Sequence, residues 1–172
     1  MLRSVSGFWR ASRRSGRLSS WEKRSRPSVS WLPGEFSRCQ ALSALLALAD
    51  RADIPMVAVT NAPRLNAEML LSGLGIADRF KVLVIGDELP HGKPHPMPYL
   101  EGLHAVGAAA AASIAFEDSR SGVRSASSAG IPTIGIRTSL THADMVDAGA
   151  VMSAKDFDDP KLLEFVAVIM NW

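Results

Sequence analysis

Short apolar runs alternate with segments of helical length from about residue 40 to the end of the chain. The runs are rich in Val, Ile and Ala and bounded by turn residues, which is typical of buried strands. They lie at 56–60, 81–85, 114–116, 132–136 and, more briefly, 150–153. The helical segments lie at about 40–54, 65–74, 98–106, 122–129 and 160–170. This order predicts an α/β fold, with an open parallel sheet covered by helices on both faces.

The basic residues are concentrated at the start of the chain. Residues 1–40 hold nine of the 19 Lys and Arg but two of the 17 Asp and Glu, a net charge of +7. The remaining residues carry ten basic and 15 acidic side chains, a net charge of −5. We therefore divide the chain into a Ser- and Arg-rich leader at 1–39, expected to be disordered, and a core domain at 40–172.

The leader has two open interpretations. Its many Ser and Arg and its few acids are typical of an organelle transit peptide. It also fits a leader without function, produced by an unusual start or exon choice that replaced a different N-terminus. The expected location is the cytoplasm, or a plastid or mitochondrion if the leader is a transit peptide.

Composition excludes several classes of partner. The sequence pI near 9.0 reflects the leader, and a core of net −5 without a Lys or Arg stripe does not favour nucleic-acid binding. No apolar stretch approaches the roughly 20 residues of a spanning helix, which predicts a soluble protein without a membrane partner. Cys39 is the single cysteine, so an intramolecular disulfide is impossible and a reducing compartment is expected.

Polar side chains gather where predicted strands end. Thr60 and Asn61 end the first strand, Glu117 and Asp118 end the third, and Lys93 lies in a proline-rich segment that cannot be helical. Ligands of open parallel sheets bind beyond the carboxyl ends of the strands. A hydroxyl beside backbone amides and a Lys can bind phosphate, and two adjacent carboxylates favour a cation such as Mg²⁺. The sequence therefore predicts a phosphate and Mg²⁺ site at this edge of the sheet.

Each of these residues also has a purely structural interpretation. Thr60 with Asn61 fits a helix cap, Lys93 a solvated surface residue, and Asp118 the cap of the following helix. The four histidines show no metal-ligand spacing and are interpreted as surface or loop residues: His91, His95, His104 and His142.

Three segments of the chain resemble the haloacid dehalogenase superfamily. They are VTNAPR at 59–64, GKPHPMPYL at 92–100 and FEDSRSGVRSASSAGIPTIGI at 116–136. The resemblance spans roughly residues 42–163 and is strongest to the small-cap sugar phosphatases and β-phosphoglucomutase-like members, most closely the plant-type sugar phosphatases. Met97 stands where the family commonly has an acid.

The resemblance implies a three-layer Rossmann-like core and a role for each polar residue. Thr60 and Lys93 would be catalytic, with Thr60 binding the transferring phosphoryl group and Lys93 stabilising it. Asn61 would join them in binding phosphate. Glu117 and Asp118 would hold the Mg²⁺ ion.

The family's first strand and its cap domain have no counterpart in this sequence. Members begin with an apolar strand and an Asp-x-Asp pair, in which one Asp attacks phosphorus and the other acts as acid and base. Asp50 and Asp53 follow no strand. Asp156 and Asp158 have the spacing but lack the following Gly-Thr, and are better interpreted as the turn and N-cap of the last helix. The central first strand and the cap are therefore expected to be missing.

The expected function is a Mg²⁺-dependent phosphatase, a phosphomonoester hydrolase acting as a monomer on a small sugar phosphate. This chain is expected to be impaired or inactive because the nucleophilic Asp is absent. One alternative is a non-catalytic remnant that binds phosphate or Mg²⁺, or pairs with an intact relative. Another is a product that does not fold stably, because a missing central strand leaves backbone groups unpaired. The leader is a poor replacement for that strand, since only residues 29–32 look strand-like.

Overall fold

The described part of the chain, residues 8–10 and 33–170 of a computed structural model, forms a six-stranded sheet with helices on both faces. The strands are β1 (Phe8–Arg10), β2 (Met56–Thr60), β3 (Phe80–Ile85), β4 (Ala115–Glu117), β5 (Thr133–Ile136) and β6 (Met152–Ala154). The helices are α1 (Pro33–Arg51), α2 (Arg64–Gly73), α3 (Met97–Val106), α4 (Arg120–Ser128), α5 (His142–Asp147) and α6 (Pro160–Met170).

The strand order in the sheet is β3-β2-β1-β4-β5-β6. β2 pairs in parallel with β3, and β4, β5 and β6 pair in parallel with one another. Helices connect successive parallel strands, as an α/β sheet requires. The predicted fold class is confirmed, and the carboxyl ends of β2 and β4 lie at the same edge of the sheet.

Part of the leader fills the position between β2 and β4. The three residues of β1 pair antiparallel with the first three of β2, and Phe8 also pairs with Phe116 of β4. The leader was expected to be a poor replacement for this strand, and Phe8–Arg10 nevertheless supply three residues of it, whereas residues 29–32 lie outside the described part. Three residues are too short to give a periodic signal, although aromatic residues favour strands. Because β1 is antiparallel, its carboxyl end lies at the edge opposite to the carboxyl ends of β2 and β4.

Strand β2 is buried on both faces, which explains its uninterrupted apolar run. Met56 and Ala58 pack into a cluster with residues of α1, α2 and α6. Val57 and Val59 pack on the other face into a cluster with residues of α3 and α4. The alternation of side chains along one strand thus produces the three layers.

Two helices differ from the sequence prediction. α1 begins at Pro33 rather than near residue 40. α5 was not predicted, because six residues are too few to show an apolar period. Its start is fixed by a capping box, in which the Thr141 side chain and the Asp144 side chain each bond the other's backbone N–H. Within the described ranges, none of the helices combines the length and hydropathy that a membrane span requires.

Candidate functional site

The predicted polar residues converge at the carboxyl ends of β2 and β4. Thr60 is the last residue of β2 and Glu117 the last residue of β4. The loop that leads into α3 returns to the same edge and carries Lys93. Lys93 thereby comes within hydrogen-bonding distance of Glu117, 24 positions away in sequence, and of Val59, 34 positions away.

Lys93 links the two strands from inside the protein. Its Nζ donates to the carbonyl oxygen of Val59 in β2 at 3.0 Å and forms an ion pair with Oε1 of Glu117 in β4. The two charged side chains are 2% and 0% exposed. Nζ also lies 5.2 Å from the centroid of the Tyr99 ring, a favourable position for a cation. The interpretation of Lys93 as a solvated surface residue is therefore wrong.

The carboxylate of Glu117 is held by donors from three elements. Besides Lys93, the Tyr99 hydroxyl donates to Oε1 at 2.5 Å, and the Ser119 hydroxyl donates to Oε2 at 3.3 Å. Burial, together with the negative charge of Glu117, raises the pKa of Tyr99 well above its usual range. The Tyr99 hydroxyl therefore stays protonated and acts as a donor to the carboxylate.

Asn61 positions the loop that carries Lys93. Its side-chain Nδ2 donates to the carbonyl of Lys93 at 3.1 Å, and its Oδ1 accepts from the backbone N–H of Lys93 at 3.1 Å. Gly86 leaves the room for this contact, because a Cβ atom there would lie 2.1 Å from Oδ1 of Asn61. The structure thus shows the Asn61 side chain bound to the protein's own backbone.

The structural alternatives for the strand-end residues are not the ones observed. Thr60 Oγ1 accepts from the backbone N–H of Ala62 at 3.0 Å, and α2 begins after Pro63 without a side-chain cap. Ser119, not Asp118, caps α4 by accepting from the backbone N–H of Gly122 at 3.0 Å. Neither Thr60 nor Asp118 is therefore used as a helix cap.

Asp118 lies half-buried beside Glu117, with its carboxylate 3.5 Å from the hydroxyl of Thr138. Glu117 and Asp118 are consecutive in sequence, and carboxylates offer the oxygen ligands that Mg²⁺ prefers. Residues 8–10 and 33–170 contain no cluster of three or more His, Cys, Asp or Glu able to hold a metal. Mg²⁺ commonly takes one or two carboxylates and completes its shell with water and phosphate oxygens. The two carboxylates therefore fit a cation whose remaining ligands come from water and phosphate, rather than a site in which the protein supplies every ligand.

Several acids singled out by spacing lie elsewhere. Asp50 forms an ion pair of 2.6 Å with Arg79. Asp156 accepts from the backbone N–H of Asp158 at 3.1 Å, which confirms its role in a turn. The prediction that Asp158 caps α6 is wrong. Asp159 takes that role, because its side chain accepts from the backbone N–H of Lys161 in the first turn at 3.1 Å. All four histidines are exposed, as expected: His91, His95, His104 and His142.

Sequence reasoning missed three residues that support the site. Tyr99 binds Glu117, Gly122 leaves room for the same carboxylate, and Ser125 donates to the carbonyl of His95 at 2.6 Å. The last contact ties α4 to the loop of Lys93. Tyr99 lies near that loop in sequence, and a glycine in the first turn of a helix is unfavourable without a packing reason. The position of Tyr99 beside the loop and the glycine at 122 were therefore signals in the sequence that pointed to these two residues.

Comparison with known families matches residues 34–136 to the family described as haloacid dehalogenase-like hydrolase. Among curated proteins, the chain is 37% identical over 91 residues to a phosphoglycolate phosphatase of Neisseria gonorrhoeae. That match covers 53% of this chain and 39% of the relative. The chain therefore spans about two fifths of the length of the curated relatives it matches.

Solved structures show the same core. A mutant form of CbbY from Rhodobacter sphaeroides, in complex with xylulose-(1,5)bisphosphate, has a TM-score of 0.60 and 28% identity, covering 68% of this chain and 53% of that one. The β-phosphoglucomutase of Clostridium difficile has a TM-score of 0.62 and covers 76% and 55%, respectively. Its 20% identity shows a shared fold alone.

Proposed function

The chain belongs to the haloacid dehalogenase-like hydrolase family, and from that premise we propose that it forms the phosphate- and Mg²⁺-binding part of a phosphatase acting on small sugar phosphates. The observation that carries the proposal is the buried ammonium of Lys93, held between Val59 of β2 and Glu117 of β4. A buried charge at the ligand-binding edge of an α/β sheet is costly unless it is paired, and such charges concentrate at functional sites.

Each residue of the site has a proposed role in binding phosphate or Mg²⁺. Thr60 and the backbone at the start of α2 bind phosphate oxygens, and Lys93 stabilises the negative charge of the phosphoryl group. Asn61 contributes by fixing the backbone of Lys93. Glu117 and Asp118 hold Mg²⁺, which when bound supplies positive charge to the phosphate.

Relatives support a small phosphorylated substrate. One curated relative is a phosphoglycolate phosphatase, and a structural neighbour was solved with xylulose-(1,5)bisphosphate. Both ligands are small and carry phosphate on a short hydroxylated or carboxylated carbon chain. We extend this substrate class to the present chain, as a monomer in the cytoplasm, or in a plastid or mitochondrion if the leader is a transit peptide.

A second candidate is a non-catalytic protein that binds phosphate or Mg²⁺ or pairs with an intact relative. It is favoured because no Asp-x-Asp pair stands ahead of Thr60 in the given sequence. Thr60 and Lys93 stabilise charge but do not replace a covalent nucleophile. We therefore propose that turnover by this chain is impaired or absent even where binding is retained.

The test combines an activity assay with a binding assay on the purified full chain. Phosphate release is measured with Mg²⁺ on a panel of hexose phosphates, pentose phosphates and phosphoglycolate, and binding of inorganic phosphate is measured by calorimetry. Turnover that Lys93→Ala abolishes supports the enzyme, whereas binding without turnover supports the non-catalytic protein. A chain that neither turns over nor binds would rule out both.

A matched control separates the site from general loss of a positive charge. Lys81 is an exposed lysine on β3, so Lys81→Ala should leave both binding and turnover unchanged. Circular dichroism of each variant shows whether Lys93→Ala is still folded, because the substitution leaves the buried Glu117 carboxylate without the opposite charge of Lys93.

A further inference from the structure

Arg137 lies at the ligand-binding edge of the sheet, directly after the last residue of β5. Three other arginines form ion pairs with acidic side chains, namely Arg64, Arg79 and Arg120. Among the described residues, no acidic side chain forms an ion pair with Arg137, whose side chain is exposed. An exposed guanidinium at this edge can bind an anionic group of a ligand.

A second cation lies beside Arg137. Ile136 of β5 pairs with Ala154 of β6, and the backbone N–H of Arg137 donates to the carbonyl oxygen of Ala154 at 2.9 Å. Lys155 follows Ala154, is exposed, and forms no ion pair within residues 8–10 and 33–170. Like charges on neighbouring strands repel each other. An anion bound by both side chains would therefore relieve an unfavourable contact.

The aspartates that follow Lys155 bind backbone groups. Asp159 accepts from the backbone N–H of Lys155 at 3.2 Å and from the first turn of α6 at 3.1 Å. Asp156 accepts from the backbone N–H of Asp158 at 3.1 Å. These contacts fix the turn before α6. The negative charge of the turn weakens the attraction of Lys155 for an anion, so Arg137 is the stronger of the two cations.

The chain after Arg137 runs beside the proposed phosphate and Mg²⁺ site. Thr138 is the next residue, and its hydroxyl lies 3.5 Å from the carboxylate of Asp118. In the sheet, β1 and β4 separate β5 from β2. Because neighbouring strands lie about 4.8 Å apart, a phosphate between the ends of β2 and β4 lies roughly 10 Å from the end of β5. A pentose or hexose phosphate with a second anionic group at its far end can span this distance.

Resting on the proposed function, we infer that Arg137 and Lys155 form a second anion subsite, which binds the far phosphate or carboxylate of a sugar phosphate. Arg137 makes the main contact, because a planar guanidinium can bind two oxygens of one anionic group. Lys155 adds positive charge beside it. The substrate class is thereby narrowed to sugar phosphates of pentose or hexose length that carry two anionic groups.

Calorimetry on the purified full chain tests the subsite without any activity measurement. Fructose bisphosphate, fructose monophosphate and inorganic phosphate are each titrated at saturating Mg²⁺. We expect the bisphosphate to bind about fivefold more tightly than the monophosphate, or by about 1 kcal/mol, the upper end for an exposed ion pair. Equal affinities of the two sugars would overturn the inference and leave the proposed function intact. If none of the three ligands binds, the proposed function fails and the inference fails with it.

Substitution of Arg137 identifies the source of the preference. Arg137→Ala should remove most of the preference for the bisphosphate and leave the affinity for inorganic phosphate unchanged. Arg137→Lys keeps the charge without the planar geometry and should retain part of the preference. Lys155→Ala should reduce the preference by less than Arg137→Ala does. A preference that survives Arg137→Ala, or an equal loss of affinity for all three ligands, would show that Arg137 forms no second subsite.

The matched control is Arg124→Ala on α4. Arg124 is exposed and, like Arg137, has no ion-pair partner in the part of the chain that the structure describes. Its substitution removes the same charge from a different surface. We expect the control to keep the full preference for the bisphosphate. An equal loss in Arg124→Ala and Arg137→Ala would mean that net charge causes the preference, and the subsite would be refuted.

Discussion

Gly122 lies directly against the carboxylate of Glu117. A Cβ atom at position 122 would lie 2.0 Å from Oε2 and 2.3 Å from Oε1 of Glu117. The carboxylate is buried and is held from the other side by Lys93 and Tyr99. The first turn of α4 therefore fixes the position of the ion pair, and a side chain larger than hydrogen at 122 is incompatible with it.

We expect Gly122→Ala to dislodge Glu117 and weaken its contact with Lys93. Overpacking of this kind costs about 1–3 kcal/mol of unfolding free energy, and phosphate and Mg²⁺ binding should weaken in parallel. Urea unfolding and calorimetry measure the two effects. In the control Gly107→Ala, the new Cβ meets nothing within 4 Å but the backbone φ is +64°, so stability should fall by about 1–2 kcal/mol with binding unchanged. Unaltered binding in Gly122→Ala would contradict the proposed geometry.

Asn61→Ala should loosen the loop that carries Lys93. The substitution removes the two hydrogen bonds between the Asn61 side chain and the backbone of Lys93, at a cost of about 1–3 kcal/mol. We expect weaker phosphate binding and faster amide hydrogen exchange at residues 91–93 and at residue 95. Asn66→Ala is the matched control, because Asn66 is an exposed residue on α2. If both variants behaved alike, the two hydrogen bonds of Asn61 would have no role in the site.

The sequence predicted the layers of the fold because the strands are buried on both faces. β2 is the clearest case, since four apolar residues precede Thr60 and all five residues are buried. It could not predict β1, because Phe8–Arg10 is a strand through pairing with β2 rather than through its own pattern. α5 was missed, although Thr141 and Asp144 have the spacing of a capping box.

The sequence also predicted which loops meet but not how they contact each other. Parallel topology alone brings Thr60, Lys93 and Glu117 to one edge, so their convergence followed from the strand order. The partners of Asn61 and Glu117 depend on side-chain directions and on the room left by glycines, which no pattern of residue types encodes. The binding of phosphate at Asn61 stays a prediction, and the bond of its side chain to the backbone of Lys93 was not predicted.

Ser125→Ala should separate α4 from the Lys93 loop. The buried Ser125 hydroxyl donates to the carbonyl of His95 at 2.6 Å, and removal of the donor leaves that carbonyl with one hydrogen bond fewer. We expect a loss of about 1 kcal/mol of unfolding free energy and a several-fold weaker phosphate affinity. Ser128→Ala, at an exposed position of the same helix, should change neither quantity. An unchanged phosphate affinity in Ser125→Ala would show that α4 does not position the loop.

Tyr99 reports on the state of the ion pair without any label. It is the only tyrosine in the sequence, it is fully buried, and its hydroxyl donates to Glu117. Ionisation of Tyr99 would place a second negative charge beside the carboxylate, which is why burial and Glu117 raise its pKa well above the usual range. Any tyrosinate absorbance therefore comes from this one site.

We expect ultraviolet titration to show no ionisation of Tyr99 near pH 10 in the folded protein, and ordinary ionisation near pH 10 in the guanidinium-unfolded protein. Because the folded state retains a proton that the unfolded state loses, this group's contribution to stability is complete below pH 10. Above pH 10 it decreases by about 1.4 kcal/mol per pH unit. Tyr99→Phe should remove this alkaline dependence and lower stability at neutral pH by about 1.5–3 kcal/mol, since a hydrogen bond to a buried charge is lost. If Tyr99 ionised near pH 10 in the folded protein, its hydroxyl would be neither buried nor hydrogen-bonded to Glu117.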